Sequence, residues 1–291
     1  MIGGFLGAGK TSLLNRLLRD AGGQRLGLII NDFGDINIDE QLIVSRDEEM
    51  LALANGCICC SIGSDFIRAL IQLVTMEAPP DQIIIEASGV ANPARIAAIA
   101  RADKALRLQG VFVLVDVLNF TQQYRDPLLA DTLEGQVAAA DLLILTKIDE
   151  AEAGQVAEVE ALLQQIRPDV RMVRVSIDKL PLDLLLDLSP GDALDASHGV
   201  HEHAHPFWSG SVGLQKPVAR RALEGFVAGL PTTLLRLKGV VHLENGLHTV
   251  QYVAGRLELT PYGGASVSPS LVFIGVGEDR SAEIGRVLAA L

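Results

Sequence analysis

Gly4-Phe5-Leu6-Gly7-Ala8-Gly9-Lys10-Thr11 is the stretch on which the reading of this 291-residue chain turns. It is a complete G-x-x-x-x-G-K-[ST] pattern. Its glycines let the backbone curl round an anion with the N–H groups pointing inward. Gly4, Gly7, Ala8, Gly9, Lys10, Thr11 and Ser12 are therefore the expected phosphate-cradling residues. Lys10 is expected to reach the β/γ oxygens as a point charge, and the Thr11 hydroxyl to ligate Mg2+. The residues that follow predict a helix whose N-terminus faces the anion. Leu13, Leu14, Leu17 and Leu18 recur at helical spacing, with Asn15, Arg16, Arg19 and Asp20 opposite, and Gly22-Gly23 ends the run.

Working outward, such a loop belongs after a buried β-strand, yet only Met1, Ile2 and Gly3 precede it. A strand crossing a sheet takes about five residues. The expectation is a lost N-terminal segment, the alternatives being a misassigned start or a central strand cut short. Downstream, short apolar runs predict buried strands at Leu26 to Ile30, Ile83 to Ile85, Val111 to Val115, Leu142 to Leu145 and Arg171 to Val175. Helical patterns lie between them, including one capped by Ser64 with Phe66, Ile67, Leu70, Ile71 and Val74 on one face, and another from Val156 to Ile166. This alternation predicts an α/β fold of the P-loop NTPase kind, with a doubly wound, mostly parallel sheet. Polar residues gather where the strands end, the edge at which open α/β sheets bind ligands.

After residue 186 the composition changes. A linker-like stretch at 187–206 holds His198, His201, His203 and His205, spaced H-x-x-H-x-H-x-H. Such a tract is either a weak, exchangeable metal trap or simply a polar linker. Beyond it, helical spacing across Pro217 to Leu230 precedes β-like runs at Leu234 to Leu243, Thr249 to Val253, Arg256 to Leu259 and Leu271 to Gly275, and a short helix closes the chain. Glu244-Asn245-Gly246 is a hairpin signal, and His242 and His248 beside it read as ordinary strand residues. Three parts are expected: a nucleotide domain over 1–186, a linker over 187–206 and a small α+β domain over 207–291.

Composition narrows the function. A net charge of -12 argues against nucleic acid or an anionic membrane surface as partner. No apolar run approaches the ~20 residues needed to span a bilayer, and no secretory leader pattern opens the chain. The three cysteines all fall within residues 57–60. That excludes a disulfide scaffold and fits a reducing cytoplasm.

Three further constellations carry chemistry. Glu86 ends an apolar strand and Gly89 follows, the arrangement of a carboxylate that holds a Mg2+-bound water and a glycine N–H that responds to the γ-phosphate. Asp32 and Asp35, after an earlier strand, belong to a segment expected to order around nucleotide and Mg2+. Thr146-Lys147-Ile148-Asp149 is similar to the N-K-x-D guanine-reading element. Asp149 can accept from guanine N1–H and N2–H together, which adenine cannot satisfy. Lys147 is expected along the base plane, and Thr146 in place of Asn to lose an amide that braces the loop. The third constellation is Cys57-Ile58-Cys59-Cys60. Three thiols so close together suit one soft cation, with Zn2+ favoured and Co2+ or Cu(I) also accepted. Two or three sulfurs are expected to bind, the fourth ligand being Asp35, another acid, a water or a partner protein. Buried apolar cysteines and a Cys59–Cys60 vicinal disulfide are the alternatives.

Together, GFLGAGKTSLLNRLL, NDFGDINID, NGCICC, IIIEASGVANP, VLVD, QVAAAD and TKID resemble the CobW-type GTPase family of metallochaperones, and LLRLKGVV and LVFIG resemble that family's second domain. The resemblance implies switch acids at Asp32 and Asp35, a Mg2+-side acid at Glu86 and metal ligands at Cys57, Cys59 and Cys60. This chain departs from the family in carrying Asp rather than Glu at the switch positions, which shortens their reach by a methylene. The resemblance further implies slow, metal-modulated GTP hydrolysis coupled to delivery of a transition metal to a client apo-metalloprotein, zinc most often, cobalt in cobalamin or nitrile hydratase settings. A non-catalytic metal buffer or sensor with structural nucleotide is the rival reading, and an ATP-using P-loop kinase or ATPase a third.

Overall fold

The loop from Gly4 leaves a three-residue strand, β1 (Ile2–Gly4), that lies between β3 (Gln82–Glu86) and β4 (Phe112–Asp116). The computed structural model describes residues 1–21, 23–30, 64–102, 105–186, 207–231, 233–253, 255–263 and 267–291. With β2 (Leu26–Ile30), β5 (Leu142–Thr146) and β6 (Arg171–Arg174), these strands form a parallel sheet in the order β2-β3-β1-β4-β5-β6. Its central strands are apolar along their length because helices cover both faces. Every residue of β4 and β5 is buried. Because all the strands run the same way, Gly4, Ile30, Glu86, Asp116, Thr146 and Arg174 end at one edge.

Among the described residues, the α-helices of this first unit are α1 (Lys10–Arg19), α2 (Ser64–Thr75), α3 (Pro93–Ala102), α4 (Phe120–Tyr124), α5 (Ala130–Ala139) and α6 (Ala153–Ile166). Helix α1 turns Leu13, Leu14 and Leu17 into the core, and Arg16 and Arg19 in its last turn complement the helix dipole. Helix α2 differs from its predicted face. Phe66, Ala69, Leu70 and Leu73 are buried, whereas Ile67 and Ile71 are 41% and 51% exposed. The buried stripe is the one that meets Ile29 of β2 and Ile85 of β3. Hydrophobic spacing alone admitted both neighbouring stripes.

Contacts divide the chain into Met1–Asp187 and Leu188–Leu291. The second unit is an antiparallel sheet in the order β10-β9-β8-β11-β7, made of β7 (Phe207–Gly213), β8 (Leu234–Leu243), β9 (Gly246–Val253), β10 (Arg256–Pro261) and β11 (Ser270–Val276). Helices α7 (Arg220–Ala228) and α8 (Ser281–Ala289) supply Leu223, Val227, Ile284 and Leu288 to its core. The β8–β9 hairpin closes with Leu243 opposite Gly246, where the turn signal stood. Strand β7 had no sequence signal, because Ser209, Gly210, Ser211 and Gly213 leave no apolar alternation. Trp208 fixes it to the sheet, packing edge-on to Phe273 at a centroid distance of 6.3 Å.

Candidate functional site

The Gly4–Thr11 loop is shaped by backbone conformation. Gly4 has φ +132°, and a Cβ there would stand 2.5 Å from the Leu114 carbonyl oxygen of β4, so no other residue fits. Gly7 and Gly9 also have positive φ. Lys10 is buried, and its Nζ donates to the carbonyl oxygens of Gly4 at 2.9 Å and Phe5 at 3.2 Å. The ammonium is thus already drawn into the mouth of the loop. Thr11 and Ser12 follow in the first turn of α1.

Glu86 lies at the end of β3, 1% exposed, beside β1 in the sheet. The turn after it presses on the loop. A Cβ on Gly89 would meet Leu6 Cδ2 at 2.5 Å and the Leu6 backbone nitrogen at 3.0 Å. From the other side Gln136 of α5, 2% exposed, donates through Nε2 to the carbonyl of Gly89 at 2.9 Å and of Ala91 at 3.3 Å. The turn is therefore clamped between the loop and a helix.

Thr146 ends β5, buried to 1% exposure. Its hydroxyl lies 3.0 Å from the Ala8 carbonyl and 3.2 Å from that of Val115. The expected loss of bracing is thus corrected, since a threonine O–H reaches the loop carbonyl in place of an amide. Lys147 has φ +59° and donates to Asp116 Oδ2 at 2.7 Å. Asp149 is exposed and accepts a hydrogen bond from the Ser176 hydroxyl just past β6. The burial that base discrimination demands of Asp149 would come only with a ligand over it. Beyond Ser176, Arg16 of α1 donates to the Ile177 carbonyl. Burial holds the Arg16 guanidinium below its ordinary value, while Asp20 and Asp178 pull it back up.

One edge thus gathers Gly4, Gly7, Ala8, Gly9, Lys10, Thr11, Ser12, Glu86, Gly89, Thr146, Lys147 and Asp149. Asp32, Asp35, Cys57, Cys59, Cys60 and the histidines at 198, 201, 203 and 205 lie outside the described residues. Among the described residues no group of three or more His, Cys, Asp or Glu is placed to hold a metal ion, and no helix is long and apolar enough to cross a membrane.

Residues 1–174 match the CobW/HypB/UreG nucleotide-binding domain, and residues 207–291 the C-terminal domain of the cobalamin synthesis protein cobW. The chain belongs to the CobW family. Among its relatives, the zinc chaperone CobW of Sinorhizobium sp is 30% identical over 83% of this chain and 77% of that protein. The zinc chaperone YjiA of Escherichia coli (strain K12) is 29% identical over 95% and 93%. The zinc-regulated GTPase metalloprotein activator 1 of Dictyostelium discoideum is 28% identical over 72% of this chain and 50% of its own length. The crystal structure of Zn(II)-bound YjiA GTPase from E. coli aligns over 100% of this chain and 97% of that one, at 23% identity and a TM-score of 0.47.

Within this CobW-family site, three residues escaped the sequence reading. Asp116 was legible as a polar residue at a strand end, and Ser176 as the residue following a predicted strand. Gln136 opens the QVAAAD stretch that carries the resemblance, but it sits in mid-helix, where nothing local points to its partners Gly89 and Ala91.

Proposed function

We propose that this CobW-family chain is a GTP-hydrolysing metallochaperone that carries a divalent transition metal, zinc foremost, on Cys57, Cys59 and Cys60 and hands it to a client apo-metalloprotein. The observation that supports guanine nucleotide most directly is the join between the two motifs. Thr146 reaches the Ala8 carbonyl at 3.0 Å, while Asp149 is held by Ser176 on the same edge. A base read by Asp149 and phosphates cradled by Gly4 to Ser12 would then belong to one ligand.

In this reading Lys10 exchanges its two loop carbonyls for β/γ oxygens and stabilises the charge that develops as water attacks the γ-phosphorus and the bond to the β–γ bridging oxygen breaks. The Thr11 hydroxyl and the Glu86 carboxylate are hard oxygen donors on neighbouring elements, the kind of set that fits Mg2+. The ion would neutralise charge on the β- and γ-phosphates. Gly89 reports the γ-phosphate through its clamped turn, and Asp32 and Asp35 belong to the switch that relays it, with Asp35 a further ligand for the transported metal. Co2+ is the alternative cargo. Residues 1–186 carry the nucleotide chemistry, 187–206 form a His-rich linker and 207–291 a second domain. The setting is the reducing cytoplasm, where free thiolates persist.

Nucleotide and metal sites would be coupled through the switch, so each biases the other. The test is GTP turnover by the full-length protein titrated with Zn2+ and Co2+, wild type against Cys59→Ala/Cys60→Ala, together with zinc affinity in the GTP and GDP states. Metal-modulated turnover lost in the double variant is expected. Equal zinc affinity in both nucleotide states would remove the delivery mechanism. Tight zinc binding without hydrolysis would leave a metal buffer. Zinc affinity should also rise with pH through the thiol range, because each thiol must deprotonate to bind.

A further inference from the structure

Lys147 is the sole non-glycine residue with positive φ among those described, at +59°. A side chain with a Cβ takes that conformation only where its surroundings impose it. What holds Lys147 is an ion pair across the sheet. Its Nζ lies 2.7 Å from Asp116 Oδ2, and the Asp116 side chain is 4% exposed against 32% for the lysine.

Asp116 is built to receive it. The residue ends β4 and stands opposite Thr146 in the β4–β5 ladder, one position before Lys147. Its carboxylate also accepts from the Leu118 N–H at 3.0 Å on Oδ1 and from Asn119 Nδ2 at 2.7 Å on Oδ2. Three donors on one buried carboxylate fix its orientation, and charge-assisted bonds in a low-dielectric setting are the strong ones. The ammonium is therefore turned inward, and the methylene stem is what Lys147 offers at the ligand edge.

We infer that Asp116 is a positioning residue for nucleobase recognition: it anchors the Lys147 ammonium so that the lysine stem lies ready as a flat apolar surface beside the base read by Asp149. The inference rests on the guanine-nucleotide reading above and deepens it. A stem fixed at both ends gives up little rotamer freedom when the ligand arrives, whereas an unanchored lysine must be ordered at the cost of affinity. Asp116 touches no ligand in this scheme. It acts through Lys147, and it should change how tightly purines bind without changing which purine is preferred.

The experiment is competition binding of GDP, IDP and ADP to the full-length protein carrying Asp116→Asn, Lys147→Ala, the double substitution or Lys147→Arg, with thermal unfolding of each variant recorded without nucleotide. Asp116→Asn and Lys147→Ala should each weaken GDP by about tenfold, with the double variant no weaker than either, because both remove one anchored stem. The GDP-to-IDP ratio, which reads the contact of Asp149 with the guanine N2 amine, should stay at its wild-type value. Lys147→Arg keeps a cation for Asp116 on a longer side chain and should recover part of the affinity that Lys147→Ala loses. Wild-type affinity in Asp116→Asn, or losses that multiply in the double variant, would overturn the inference. If Asp116→Asn does not fold, the lysine variants decide: arginine losing as much as alanine counts against the anchor, and arginine rescuing counts for it. A wild-type chain that binds ADP as well as GDP overturns the guanine reading instead, a result visible before any variant is made.

Discussion

Around Gly4–Thr11 the candidate site is carried by backbone, whereas around Thr146–Asp149 it is carried by side chains. On the proposed phosphate side the decisive features are positive φ at Gly4, Gly7 and Gly9 and the absence of a Cβ where Leu114 and Leu6 press close. On the proposed base side they are hydrogen bonds: Thr146 to Ala8, Lys147 to Asp116, Ser176 to Asp149. The division follows from what each end of a nucleotide offers. A phosphate is a charge with acceptors all round, so any ring of N–H groups of the right curvature suits it. A base presents a directional pattern of donors and acceptors, which needs side chains held at fixed angles.

The sharpest way to break that contrast is to add atoms on one side and remove them on the other. Gly4→Ala puts a methyl 2.5 Å from the Leu114 carbonyl in a backbone region closed to alanine. It should cost about 3 kcal/mol or more of folding stability, read as a lowered unfolding temperature with nucleotide binding lost. Lys10→Ala removes charge without adding strain. It should abolish GTP turnover and weaken nucleotide by about 100-fold, while leaving metal binding in part. If Gly4→Ala melted as the wild type does, the claim that backbone shape governs this side would fail.

Asp149→Asn is the matching change on the base side. The amide can donate where the carboxylate only accepts, so preference should swing from guanine towards xanthine nucleotides, which carry an oxygen at C2, by about 100-fold in the ratio of affinities. Folding stability should hardly move, because Asp149 is exposed. A variant that lost GTP and xanthosine triphosphate alike would show that Asp149 shapes the loop rather than reads the base.

The same division explains what could be read from the sequence. The loop was legible in full, since a backbone shape that only glycine permits leaves glycines at fixed spacing. The strands were legible within a residue or two wherever burial on both faces demanded an unbroken apolar run, as in Leu142–Thr146. Strand β7, rich in serine and glycine, was not, and the buried stripe of α2 fell one position from its expected place because tertiary contacts chose between two adequate faces. The braces of the base side were hidden for a different reason. Asp116, Gln136 and Ser176 act across 31, 47 and 27 residues of chain on Lys147, Gly89 and Asp149 respectively. Local periodicity holds no record of such partners. The switch acids and the cysteines lie outside the described residues, and their assignment remains a proposal from motif and family.

Gln136 is where the contrast is weakest, because here a side chain shapes the phosphate side. Gln136→Leu keeps the volume but takes the donor from the carbonyls of Gly89 and Ala91. Leaving those buried acceptors without it should cost about 1–3 kcal/mol. If the clamped turn reports the γ-phosphate, kcat should fall by about tenfold with KM little changed, since the turn matters at the reacting end of the ligand. A rise in KM at constant kcat would instead make Gln136 part of ground-state binding.

The smallest effect belongs to Ser176→Ala. The Ser176–Asp149 bond is an exposed one, so its net worth is about 0.5–1 kcal/mol. That corresponds to a loss of about two- to fivefold in GTP affinity. The size matters less than where it shows. Asp149 without Ser176 keeps its charge and its place on the edge but samples more rotamers, so the loss should fall on GTP and GDP and spare ADP. The ratio of guanine to adenine affinity would shrink by the same factor. Binding of free pyrophosphate, which has no base, should be untouched. If pyrophosphate weakened as much as GTP did, the Ser176 brace would be acting through α1, where Arg16 grips the neighbouring Ile177 carbonyl, and the base and phosphate sides would be one mechanical unit rather than two.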